Sequence, residues 1–192
     1  MLLKSYLDLI SGIAVSNVGH RNPQVVEAIK NQVDQYMHLM VYGEYIQSPQ
    51  VKLAEALIQS TKSTTLNQVY FTNSGTEAVE GAMKLAKRFT GRTEFISCKN
   101  AYHGSTQGAL SVMGNEHYKQ AYRPLLPGIR FIEFNNYIDL DLISTKTAAV
   151  LMETIQGEGG INPMRIEYLQ QVRALCDQKD WLMMIDEVQC GM

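Results

Sequence analysis

Cysteine is scarce and poorly spaced for structural use. Cys98, Cys176 and Cys190 are odd in number and far apart, with no Cys-x-x-Cys pair and no neighbouring histidine at ligand spacing. This excludes the usual zinc modules and argues for a reduced, cytoplasmic chain without a structural metal. An excess of one charge is lacking as well. The 17 lysines and arginines stand against 19 acidic residues for a net charge of -2, so no basic face for nucleic acid is expected, and a 45% hydrophobic content argues against disorder. No apolar run reaches the length of a membrane span, and Asp8 interrupts "MLLKSYLDLI", where a signal peptide would be uniformly apolar. Repeats, low-complexity stretches and linkers are missing too. Two glycine signatures are absent: Gly-x-x-x-x-Gly-Lys-[Ser/Thr] of nucleoside triphosphatases and Gly-x-Gly-x-x-Gly of dinucleotide-binding folds. What remains is a chain of 192 residues, long enough for one domain that buries roughly 70% of its unfolded surface, with small molecules or protein as partners.

Helical grammar opens the chain. In "HRNPQVVEAIKNQVDQYMH", Asn22 caps and Pro23 takes the first helical position, while Val26, Ile29, Val33 and Met37 recur at helical spacing and predict one buried face. Ser48 and Pro49 open a second helix with Leu53, Ala54, Leu57 and Ile58 as its stripe; the intervening "LMVYGEYIQ" has no regular pattern. From residue 68 the texture changes to short apolar runs alternating with helical segments. Strands are expected at 69–72, 95–98, 129–134, 148–152 and 181–185, with helices at 76–89 and 165–179. The fold class is therefore α/β, a mostly parallel sheet with helices on both faces. Ligands in such folds sit beyond the carboxyl ends of the strands.

The residues after each run carry the chemistry. In "FTNSGTEAVEGAMKLAKRF", Ser74, Gly75 and Thr76 precede a helix, and both N-capping and phosphate binding fit the pattern. "KNAYHGS" places Tyr102 and His103 after the next run: Tyr102 suits packing or stacking on a flat ligand, and His103 suits a turn cap or a site. "ETIQGEGGINP" puts Glu153 at a strand end and Glu158 in a glycine-rich loop, and "DEVQCG" puts Asp186 at the mouth of a run apolar on both faces. A carboxylate there needs a cation or several donors. A phosphate-sized turn, a flat aromatic and a carboxylate on three strand ends are the parts that hold pyridoxal 5'-phosphate (PLP), whose ring is an electron sink only while its nitrogen stays protonated.

These stretches, together with "YLDLISGIAVSNVGHRNPQVVEAI" and "MMIDEVQCGM", resemble the class III (ω-amino acid) aminotransferases across essentially the whole chain. The resemblance implies the large domain of a fold-type I PLP enzyme, with residues 1–50 leading into a cofactor-binding domain over 51–192. It implies phosphate binding by Ser74, Gly75 and Thr76, ring stacking by Tyr102 with His103 beside it, and pairing of Asp186 with the ring nitrogen. It further implies Val188 as a cofactor-binding residue, Gln189 near the ring's phenolic oxygen, and Glu153 and Glu158 on the substrate side, the latter able to engage an arginine. Members are homodimers that move an amino group from a small-molecule amino donor to an oxo acid. Their Schiff-base lysine and small domain follow the Asp-Glu-Val-Gln motif, so the resemblance marks this chain as a fragment that is inactive alone. A related aminomutase or decarboxylase, or a non-catalytic binding module, fits the same scaffold.

Overall fold

The computed structural model describes residues 4–40, 44–137, 139 and 144–191. The chain divides into two compact units, Met1–Tyr70 and Phe71–Met192.

The first unit holds two principal helices, α1 (Pro23–Gln35) and α2 (Ser48–Thr61). Asn22 caps α1 as its sequence predicts, the side-chain Oδ1 accepting from the Gln24 and Val25 N–H groups at 3.0 and 3.4 Å. Helix α2 starts without a side-chain cap, Gln47 preceding it. The Tyr36 hydroxyl takes over at that end, accepting the Ser48 N–H at 3.2 Å. The expected buried face of α1 is not formed: Ile29 is 59% and Val33 52% exposed. Spacing supplies an apolar stripe, but burial needs a second layer, and no described residue of this unit is buried. Part of the unpatterned stretch between these helices, residues 41–43, lies outside the described residues.

The second unit is the α/β body. Its helix α3 (Gly75–Thr90) leads into β1 (Glu94–Cys98), a short helix α4 (Gln107–Val112), β2 (Ile129–Ile132), β3 (Thr147–Glu153), α5 (Ile166–Lys179) and β4 (Leu182–Asp186). The sheet is parallel throughout, in the order β2-β1-β3-β4. All seven residues of β3 are buried, as a strand covered on both faces must be. Side chains alternate between two layers. Ile96, Cys98, Val150 and Met152 pack with Tyr168, Val172 and Cys176 of α5, whereas Phe95, Ala149 and Leu151 pack with Val79, Met83 and Ala86 of α3 and Ala109 and Val112 of α4. The α/β class with helices on both faces is thus realised.

The strand expected at 69–72 is absent. Tyr70 is 86% and Phe71 43% exposed, and the segment has no regular structure. A β-prone run becomes a strand only where a neighbouring strand completes its ladder, and the described residues offer none here. The other strands fall within two residues of their expected bounds, β3 reaching Glu153 and β4 reaching Asp186. Both acidic residues stand side by side, since Glu153 and Asp186 are register partners of the β3–β4 ladder.

Candidate functional site

Parallel strands deliver their last residues to one edge, so the loops after β1, β3 and β4 meet there with the start of α3. Ser74 caps α3, its Oγ accepting the Glu77 N–H at 3.3 Å, while the Glu77 carboxylate accepts the Asn73 N–H at 2.8 Å. The pair differs from a capping box in that Glu77 takes the N–H of the residue before the cap. It leaves the N–H groups of Gly75 and Thr76, at the positive end of a helix of 16 residues, without intrahelical partners.

Glycine is required twice in this neighbourhood. A Cβ at Gly75 would stand 2.8 Å from both Val188 methyl groups, and one at Gly104, where φ is +114°, would lie 2.5 Å from the Thr76 Oγ1. The start of α3 therefore touches the segment after β4 on one side and the segment after β1 on the other. The Thr76 and Thr106 hydroxyls close the second contact at 2.7 Å.

Asp186 sits where these segments converge, with its side chain only 7% exposed. Its Oδ2 lies 2.8 Å from His103 Nδ1, and its Oδ1 accepts the Val188 N–H at 3.1 Å. The His103 side chain is fully buried and its Nε2 has no hydrogen-bond partner. A carboxylate oxygen accepts, so Nδ1–H is the donor in this contact with Asp186. The carboxylate is thereby oriented by two donors.

Glu153, beside Asp186, is buried, whereas Glu158 is exposed. Burial raises the pKa of Glu153 above the ordinary carboxylate value, partly countered by N–H donors from Tyr102 and Gly157. Below it Cys98 is sealed in the core, its thiol pushed up to about 12 chiefly by burial. Tyr102 is 39% exposed and meets Tyr118 edge to face, the ring centroids 6.4 Å apart. Its face is not absorbed into the core.

Sequence reasoning understated His103, because its partner lies 83 positions away. It missed Glu80, whose Oε1 accepts the Thr106 hydroxyl and the Gly108 and Ala109 N–H groups and so caps α4 from α3. It also missed Gln156, which donates to the Lys99 carbonyl at 2.8 Å. No local pattern marks either contact. Among the described residues no group of three or more metal-ligating side chains occurs, and no helix is long and apolar enough to cross a membrane.

A parallel sheet with helices on both faces, carrying a capped helix start, an oriented carboxylate and an uncovered aromatic at its strand ends, defines a cofactor-binding α/β scaffold. The model of the class-III aminotransferases matches residues 4–192, and the chain belongs to that family. It is 42% identical to the acetylornithine aminotransferase of Clostridium acetobutylicum over 97% of its own length and 49% of that protein's. It is also 42% identical to a putative [LysW]-aminoadipate semialdehyde/glutamate semialdehyde transaminase of Pyrococcus furiosus, covering 98% of this chain and 50% of that one. The PLP-bound amine transaminase from an uncultivated Pseudomonas species superposes with a TM-score of 0.87 at 28% identity, over 96% of this chain and 48% of that one. The chain thus spans about half the length of the relatives it matches. Family and fold both point to pyridoxal 5'-phosphate as the cofactor.

Proposed function

We propose that this chain is the cofactor-binding part of a PLP-dependent aminotransferase, a cytoplasmic homodimer that moves an amino group from an ω-amino or α-amino donor to an oxo acid. The observation that carries the reading is Asp186: a carboxylate with a buried side chain, oriented by His103 and the Val188 N–H, at the end of β4 beside the glycine-bearing start of α3. The residues present fit PLP. Close packing at Gly75 and Gly104 leaves backbone rather than side chain at the helix start, and the buried acid is of the type a cationic heterocycle requires.

When bound, the cofactor supplies an electron sink for the pair released at the donor's α or ω carbon. The remaining work belongs to the chain. Asp186 holds the proton on the ring nitrogen, because an ionised carboxylate facing a cationic N–H stabilises the charged form. His103 fixes the direction of that carboxylate. The Ser74 hydroxyl, with the Gly75 and Thr76 N–H groups, holds the phosphate at the positive helix end. Tyr102 would offer its exposed ring face to the heterocycle, Val188 would contact the cofactor, Gln189 would serve the ring's phenolic oxygen, and Glu158 would serve the substrate side.

The three thiols are free and two are buried, which supports a reducing compartment. The buried lysine of the described residues, Lys119, is committed elsewhere. Its Nζ donates to the Met113 carbonyl at 2.8 Å, pairs with Glu116 at 3.2 Å and sits 3.9 Å from the Phe131 ring centroid. The test is an absorbance titration of the chain with PLP, followed by borohydride reduction and peptide mapping. Saturable binding without stoichiometric labelling of a lysine is expected. Absence of binding, or equal binding by Asp186→Ala, would overturn the assignment of this site.

A further inference from the structure

Glu153 ends β3 but does not open to solvent, being 6% exposed. Its Oε1 accepts the Tyr102 N–H and its Oε2 the Gly157 N–H, each at 3.1 Å. The two donors belong to different segments, one following β1 and the other inside the glycine turn after β3. Gln156, also buried, repeats the link by donating to the Lys99 carbonyl. The turn is pressed against both neighbours. A Cβ at Gly159 would stand 2.9 Å from the Asn100 carbonyl oxygen, and one at Gly157 would lie 1.6 Å from the Gln189 Oε1. Between the segments opens a cavity of about 220 Å³. Asn100 and Tyr102 form one wall and Glu158 and Gly159 the other, with Asn115 and Tyr118 closing it.

We propose that Glu153 is a positioning residue, a two-point clamp that fixes the Tyr102 segment against the Gly157 turn and so sets both the width of this cavity and the separation of the Tyr102 ring from the Gln189 amide. The consequence for the cofactor rests on the reading of Tyr102 and Gln189 given above; the clamp itself does not. The chemistry explains the residue type. Two N–H donors converging on one side chain require two acceptor oxygens, which an ionised glutamate has. Glutamine would turn an NH2 toward one of the donors, and aspartate is a methylene too short to reach both. A buried N–H left without an acceptor is costly, so losing either bond frees its segment.

The experiment compares the wild-type chain with Glu153→Gln, Glu153→Ala and the exposed control Glu167→Gln by residue-resolved amide hydrogen exchange and by PLP titration. In Glu153→Gln, exchange at Tyr102 or Gly157 should accelerate about tenfold, the equivalent of one net hydrogen bond, and in Glu153→Ala at both. The Val150 and Leu151 amides inside β3 should keep their protection, and Glu167→Gln should match wild type. The PLP dissociation constant should rise about tenfold with the clamp broken. Unchanged exchange at both amides, or acceleration spread evenly over β3, would overturn the clamp. Localised acceleration with unchanged PLP affinity would overturn its positioning role. If the wild-type chain binds no PLP, the cofactor reading is what fails, and exchange at the two amides still decides the clamp.

Discussion

The units Met1–Tyr70 and Phe71–Met192 are written in the same helical grammar but differ in burial. Helices α1 and α3 both have an acceptor side chain at the cap and an apolar stripe, yet α3 buries Val79, Met83 and Ala86 while α1 buries no residue. The difference is the partner layer. The stripe of α3 meets Phe95, Ala149 and Leu151 from the sheet, and the first unit contains no sheet among its described residues. An amphipathic pattern therefore specifies a helix and its face, while the stability gained from that face depends on what covers it.

The sharpest way to test this contrast is a pair of truncations. Leu151→Ala removes a side chain that is 2% exposed between α3 and the sheet, and should lower the stability of the second unit by about 2–5 kcal/mol. Ile29→Ala removes one that is 59% exposed, and should change the stability of the first unit, followed by its helical circular dichroism, by less than about 0.5 kcal/mol. Urea unfolding followed by Trp181 reports on the second unit directly, since this single tryptophan packs in its α5 layer. Equal losses from the two substitutions would erase the contrast.

Next in size is Asp186→Asn. It keeps the shape but removes the charge that the proposed role sets against the ring nitrogen, and the loss of a charge-assisted hydrogen bond worth about 1.5–3 kcal/mol predicts PLP binding weaker by about 10- to 100-fold. The same titration on Asp8→Asn, in the first unit, should give the wild-type curve.

The caps compare the units on equal terms. Asn22→Ala and Ser74→Ala each remove a side-chain acceptor from a helix start and should each cost about 1 kcal/mol of local helix stability. Amide exchange in the first turns should rise in both. Only Ser74→Ala should also weaken PLP binding, which would separate a cap that serves the helix alone from one that serves a ligand too.

The smallest effect is that of pH. Burial raises the pKa of Glu153 in the folded chain, so protonated Glu153 contributes stability that is fully present below its unfolded value near 4.5 and is lost as pH rises through the higher folded value. Glu153→Gln should flatten the midpoint-versus-pH curve of the second unit across that window. A curve of unchanged slope would show that the acid is not desolvated as its position implies.

Much of the second unit was legible because its strands are short, apolar on both faces and separated by strong helical periods. Thr147–Glu153 and Leu182–Asp186 follow from composition alone to within a residue or two. The candidate site residues were legible as a set because parallel topology delivers strand ends to one edge, so an acid or hydroxyl just after an apolar run is already placed. The run at 69–72 shows the limit: its residues favour a strand, but the required hydrogen bonds must come from elsewhere. His103 shows another, since a histidine in a glycine turn gives no local sign of an acid 83 residues on.

The sequence by itself determined the principal helices and the strands of the sheet to within two residues, and where α1 and α3 begin, because these depend on spacing and side-chain chemistry over a few neighbouring positions. Only the tertiary structure decided that α3 is buried and α1 is not, that His103 turns inward onto Asp186, and that Glu153 binds two backbone segments. Each of these depends on groups brought together from distant parts of the chain, and a short-range pattern carries no information about what it will meet.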